Sequence, residues 1–210
     1  MNDGICCSEK QLDALIENFQ TPKSIIAQQC PTCYYNFITN FCDMTCSPHQ
    51  TDFVRPDRYL TVDNNEVVAE LTYFTHKQFN DDTYNSCKNV QFPAMSDTIL
   101  ALLCGPWGSQ YCTPERWWTY LGTTENGYSP FEIHYDIKNQ TMTDDEKYTY
   151  HNPSMVPCNK PPTVGEVHVG CQCSDCEESC TKQDEAVIEP INEDFLIGGV
   201  NGYVVIAASG

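Results

Sequence analysis

Cys30-Pro31-Thr32-Cys33-Tyr34-Tyr35-Asn36, followed by Phe41-Cys42-Asp43-Met44-Thr45-Cys46-Ser47-Pro48-His49-Gln50, decides how the rest of the chain is read. The fixed φ of Pro31 suits the first position of a helix, and Ser47-Pro48 closes it. Between them Tyr34, Phe37, Ile38, Phe41 and Thr45 recur at helical spacing and form the expected inner face. Upstream, Ser8-Glu9-Lys10-Gln11 is a capping box, with Ser8 as N-cap and Gln11 at the third helical position. Leu12, Leu15, Ile16 and Phe19 follow on one face of the helix it opens, and Pro22 ends that helix.

Downstream, residues 67–87, with Leu71, Phe74 and Phe79, read as a third helix. Ser96 is placed to cap a short apolar helix over 99–103, stopped by Gly105. Thr113-Pro114 opens another, carrying Trp117, Trp118 and Leu121 and ended by Gly122. Residues 131–137 alternate apolar and polar as a strand does, and 164–169 is a second candidate strand. Residues 141–162 are polar and proline-containing, hence mostly loop.

Fourteen cysteines among 210 residues are far above ordinary usage. In an oxidising compartment such a count implies a disulfide framework. The sequon Asn139-Gln140-Thr141 fits a secretory route and makes Asn139 a glycosylation candidate. Met1-Asn2-Asp3-Gly4 begins without a basic start or an apolar run, so the true N-terminus is expected to lie upstream. Residues 1–180 hold all the cysteines, 181–194 read as an acidic linker, and 195–210 are uncharged. That tail is shorter than the ~20 residues a spanning helix needs, and it reads as the start of a transmembrane helix. The net charge of −18, from 29 acidic and 11 basic residues, leaves nothing to neutralise phosphates and excludes nucleic acid as a partner.

Catalytic signatures are absent: no G-x-S-x-G, H-E-x-x-H, P-loop or G-x-G-x-x-G occurs. The five histidines are scattered among polar neighbours and read as surface residues. Cys171-x-Cys173-x2-Cys176-x3-Cys180 is dense enough for a metal, yet its spacing fits neither zinc ribbons nor ferredoxins. Disulfides are the expected use. A cysteine-rich ectodomain that recognises a protein partner remains the rival to a small-ligand binder.

The quoted stretch resembles the N-terminal luminal domain of the Niemann–Pick type C transporters. Tyr84-Asn85-Ser86-Cys87, Leu102-Leu103-Cys104-Gly105, Ser129-Pro130-Phe131 and the Cys171–Cys180 cluster continue the resemblance in family order. It implies an α+β fold, with helices packed around a small mixed sheet and a deep apolar pocket for a sterol. It implies a lysosomal or vacuolar membrane, with this domain in the lumen. The implied partners are a soluble luminal sterol carrier and the transmembrane part of the same full-length chain. No cofactor and no enzymatic activity are implied.

Residue by residue, the resemblance puts Gln11 where the family's glutamine bonds the sterol hydroxyl. Leu15, Asn18, Phe41, Thr45, Leu71 and Ile133 match pocket positions, while Leu102, Leu103, Pro130 and Phe131 match the entrance. It also implies a pairing: Cys30 with Cys171, Cys33 with Cys87, Cys7 with Cys46, Cys104 with Cys112, Cys158 with Cys176, and Cys173 with Cys180. Cys6 and Cys42 are left over, and in the family their equivalents pair with cysteines further upstream.

Overall fold

In the computed structural model, which describes residues 5–163, 168–180, 196–197 and 200–201, the capping box opens α1 (Glu9–Asn18). Ser8 accepts from the Gln11 backbone N–H, and the Gln11 side chain reaches back to the Ser8 N–H. A short turn, Gln20–Pro22, and a π-helical stretch, Lys23–Ala27, lead to α2 (Pro31–Cys46). The expected inner face of α2 is corrected. Its buried residues are Thr32, Cys33, Asn36, Phe37, Asn40 and Met44, whereas Tyr34, Ile38, Phe41 and Thr45 are half-buried. Two asparagines go inside: the Asn36 amide is bonded at both ends, whereas Asn40 is bonded through its oxygen alone and its buried Nδ2 finds no partner among the described residues. Asn36 Nδ2 donates to Ser86 Oγ (2.9 Å) and to the Val156 carbonyl (2.8 Å), and Asn40 Oδ1 accepts from the Tyr135 hydroxyl (2.9 Å). The bonded Asn36 amide and Asn40 oxygen avoid the ~1–3 kcal/mol that a buried polar group without a partner costs.

The third expected helix is half strand. β1 (Val54–Val62) and β2 (Asn65–His76) form an antiparallel hairpin, and only then does α3 (Lys77–Cys87) begin. Its two-residue turn is Asp63-Asn64, both at positive φ (50° and 62°), the conformation of the turn that matches strand twist. From Leu71 to Thr75 every residue of β2 is buried. A strand covered on both faces loses the period-two pattern that would announce it.

α4 (Leu100–Leu103) and α5 (Pro114–Gly122) follow. Ser96 does not cap α4: it sits at φ +52° after a turn of 3-10 helix, and Ile99 is the residue at the cap. Thr113 does cap α5, accepting from the Arg116 N–H. β3 (Glu132–Lys138) then pairs parallel to β2, which gives a mixed three-stranded sheet in the order β1-β2-β3. A parallel pair needs a long crossover, and α3, α4 and α5 supply it. The chain is therefore α+β, with helices packed against one small sheet.

Six cysteine pairs stand at bonding distance: Cys7–Cys46, Cys30–Cys171, Cys33–Cys87, Cys104–Cys112, Cys158–Cys176 and Cys173–Cys180. They are the six pairs the resemblance implies. Cys6 and Cys42 have no partner among the described residues. All four cysteines of the 171–180 cluster are bridged, so none is left as the thiolate that a zinc or iron–sulfur site requires. The candidate strand over 164–169 falls mainly outside the described residues, and His168 and Val169 are not in a strand. The linker over 181–194 lies outside them as well. Within 195–210 only two short antiparallel strands are described, Leu196–Ile197 and Val200–Asn201. Among the described residues no helix is long and apolar enough to cross a membrane.

Candidate functional site

Gln11, Ala14, Leu15 and Asn18 are spaced i, i+3, i+4, i+7, and so share one face of α1. That face lines a cavity of about 420 Å³. No residue of α1 is buried, so its apolar face meets the cavity rather than a filled core. Leu15 and Phe19 turn inward, while Leu12 and Ile16, from the same sequence stripe, are exposed.

The opposite wall is dense. Phe37 and Phe41 of α2 lie 5.3 Å apart, and Phe19 reaches across to Phe41 at 5.5 Å. Behind them sit Trp117 and Trp118, both wholly buried; Trp117 stacks on Phe37 and Trp118 tilts against Phe41. Ile99, Leu102 and Leu103 close one side, and Pro130, Phe131 and Ile133 another. Gly122 holds α5 against β3, since a Cβ there would run into the carbonyl oxygen of Ile133.

Ten of the eleven expected ligand-contact residues thus come together: Gln11, Leu15, Asn18, Phe41, Thr45, Leu102, Leu103, Pro130, Phe131 and Ile133. Leu71 does not. It pairs in register with Ile133 on the sheet but is packed with Met44, Phe53, Val54 and Tyr73 in the core. The sequence reading missed Ile25 and Ile26, whose π-helical backbone has no helical period to reveal them, and Tyr128 in an irregular loop. Phe37 lines the cavity too, and helical spacing had placed it on the inner face of α2. One histidine is not the surface residue expected. His151 stacks on Phe53 at 4.1 Å, and its Nε2 lies 2.9 Å from Asp43 Oδ2, away from the cavity. Asn139 is exposed just beyond the end of β3.

The electrostatics of the cavity contrast with those of the chain. No Asp, Glu, Lys, Arg or His lines it among the described residues, although the chain carries a net charge of −18. Its polar groups are Gln11, Asn18, Thr21, Thr45, Ser129 and the Tyr128 phenol. Burial raises the pKa of that phenol, and Tyr120 beside it adds to the rise, so it stays neutral. The Ser129 hydroxyl is taken, donating to the Phe131 carbonyl. Gln11 Oε1 is taken as well, accepting from Ser8 N–H (2.9 Å) and Ser8 Oγ (3.0 Å). Among the described residues its wall is thus uncharged and mostly apolar, with a few polar groups, a lining that suits a neutral, mostly apolar molecule.

Fold and site together define a small, disulfide-stapled α+β domain with an uncharged cavity between its helices. The chain belongs to the Niemann-Pick C1 N terminus family, whose model matches residues 1–202. It is 31% identical over 208 residues to the NPC1-like intracellular cholesterol transporter 1 of Mus musculus, a match covering 96% of this chain. With the NPC intracellular cholesterol transporter 1 of Sus scrofa it shares 32% identity over 188 residues, or 85% of this chain. With the NPC intracellular cholesterol transporter 1 homolog 1b of Drosophila melanogaster it shares 27% over 210 residues, or 97% of this chain. The chain spans only about 15% of the length of these relatives (15%, 14% and 16% in turn).

Proposed function

We propose that this domain binds a sterol of the cholesterol or ergosterol type in the apolar cavity, without catalysing a reaction. The observation that carries the reading is the uncharged wall of about 420 Å³ of space in a strongly acidic chain. Burial of ligand surface contributes about 2.5 kcal/mol per 100 Å². A neutral hydrogen bond adds about 0.5–1.5 kcal/mol. The rings would therefore supply the affinity, and Gln11, bonding the sterol hydroxyl, would fix the orientation. Leu102-Leu103 and Pro130-Phe131 would open to admit the ligand.

The family membership and the transporter names of the relatives support a wider role. In it, a soluble luminal carrier hands the sterol to this domain, and the domain passes it to a membrane-embedded part of the same full-length protein. That exchange would take place in the lumen of a lysosome or vacuole. The test is equilibrium binding of labelled cholesterol to the purified chain. Saturable one-to-one binding is expected, and it should weaken two- to tenfold in Gln11→Ala, about one neutral hydrogen bond. Absence of saturable binding to the folded chain would refute the reading and favour recognition of a protein partner.

A further inference from the structure

We infer that Gln11 faces the ligand as a hydrogen-bond donor only, so that the cavity accepts 3-oxo sterols as well as 3-hydroxy sterols. This rests on the sterol-binding reading above and specifies which oxygen chemistry the site selects.

A backbone N–H can only donate. The amide atom 2.9 Å from Ser8 N must therefore be the Gln11 oxygen. The reversed amide would set NH₂ against N–H, two donors facing each other. Ser8 Oγ accepts from the Gln11 backbone N–H at 3.3 Å, which leaves its own proton for Gln11 Oε1 at 3.0 Å. Both acceptor sites of that carbonyl are then filled from within the helix cap. Nε2 has no partner among the described residues, and Gln11 lines the cavity. What remains for a ligand is two N–H donors.

Among the described residues the other polar groups of the wall do not reverse this selection: the Ser129 hydroxyl is taken by the Phe131 carbonyl, and the hydroxyls of Thr21 and Tyr128 can donate as readily as accept. Asn18 lies seven residues along α1, about 10.5 Å up the axis, and its side-chain amide can accept as well as donate, so it admits either oxygen. The hydroxyl of Thr45 can donate as readily as accept, so it admits either oxygen. A ligand oxygen at Gln11 needs a lone pair and no proton, and a ketone supplies this as well as an alcohol.

The test compares cholesterol, its 3-oxo counterpart and the oxygen-free hydrocarbon cholestane on the purified 210-residue chain. The 3-oxo sterol should bind within about threefold of cholesterol. Cholestane should bind two- to tenfold more weakly than both, the worth of one neutral hydrogen bond. Gln11→Glu provides a second arm. A carboxylate can still close the capping box but offers no donor, whereas cholesterol brings its own proton. This variant should shift preference toward cholesterol over the 3-oxo sterol by about two- to tenfold. If the wild-type chain holds cholesterol but binds the 3-oxo sterol no better than cholestane, the donor-only inference is overturned while sterol binding stands. An unchanged preference in Gln11→Glu overturns it as well. If none of the three binds, the sterol reading itself falls, and this inference falls with it.

Discussion

The two walls of the cavity are made differently. The wall from α2 and α5 is a stack of aromatic rings, with Phe37, Trp117 and Trp118 buried and Phe41 half-buried between them and the cavity. The wall from α1 has no buried residue and is held by the Ser8–Gln11 box and the Cys7–Cys46 bridge. One wall is fixed by packing, the other by a cap and a covalent bond. Shape and polarity are accordingly divided: the packed wall sets the form of the site, and the thin wall carries two of its polar groups, Gln11 and Asn18.

The contrast breaks most visibly at Trp118. Removing a fully buried aromatic ring costs about 3–5 kcal/mol. Trp118→Ala should therefore lower stability by that much in urea denaturation and take sterol binding with it. A loss below about 1 kcal/mol, against that expectation, would mean the packed wall is not packed. Next is the bridge. Cys7→Ser with Cys46→Ser removes the closure of a 39-residue separation and should cost about 2–4 kcal/mol. Here the damage should be local, with α1 becoming protease-sensitive while the near-UV dichroism of the tryptophans persists. Loss of both signals together would show that the two walls are a single unit. Gly122→Ala tests the seam where α5 meets β3. The added methyl should cost about 1–3 kcal/mol, as overpacking does, and a chain as stable as wild type would deny the close contact. The smallest effect belongs to the cap. Ser8→Ala should cost about 1 kcal/mol and weaken sterol binding, because Gln11 loses one of its two restraints. Equal sterol affinity in Ser8→Ala would separate the cap from the site.

The same division explains what could be read in advance. α1, α2 and α5 were legible because their starts are chemical signals, Ser8 with Gln11, Pro31, and Thr113 with Pro114. The β1–β2 hairpin was not. Its buried end is covered on both faces, and Leu71 and Phe74 stand three apart as they would on a helix. The turn residues Asp63-Asn64 were the available clue. Most of the cavity wall was placed through family resemblance rather than through periodicity. Leu71 shows the limit of that route, since a position can match a pocket residue and still face the core. Asn36 and Asn40 show another: a polar residue is counted outside until its bonding partners, Ser86, Val156 and Tyr135, are known from other parts of the chain.

A sterol held as proposed would occupy the space between α1 and the aromatic wall. Photolabelling with a diazirine-bearing cholesterol analogue, followed by mass mapping of the modified peptides, would locate it there. Labels confined to α1, to the Leu102–Leu103 segment and to the Pro130–Ile133 segment, and competed away by unlabelled cholesterol, are the predicted result. Competable labels on the exposed hairpin residues Tyr59, Leu60 and Val62, with none on α1, would contradict it.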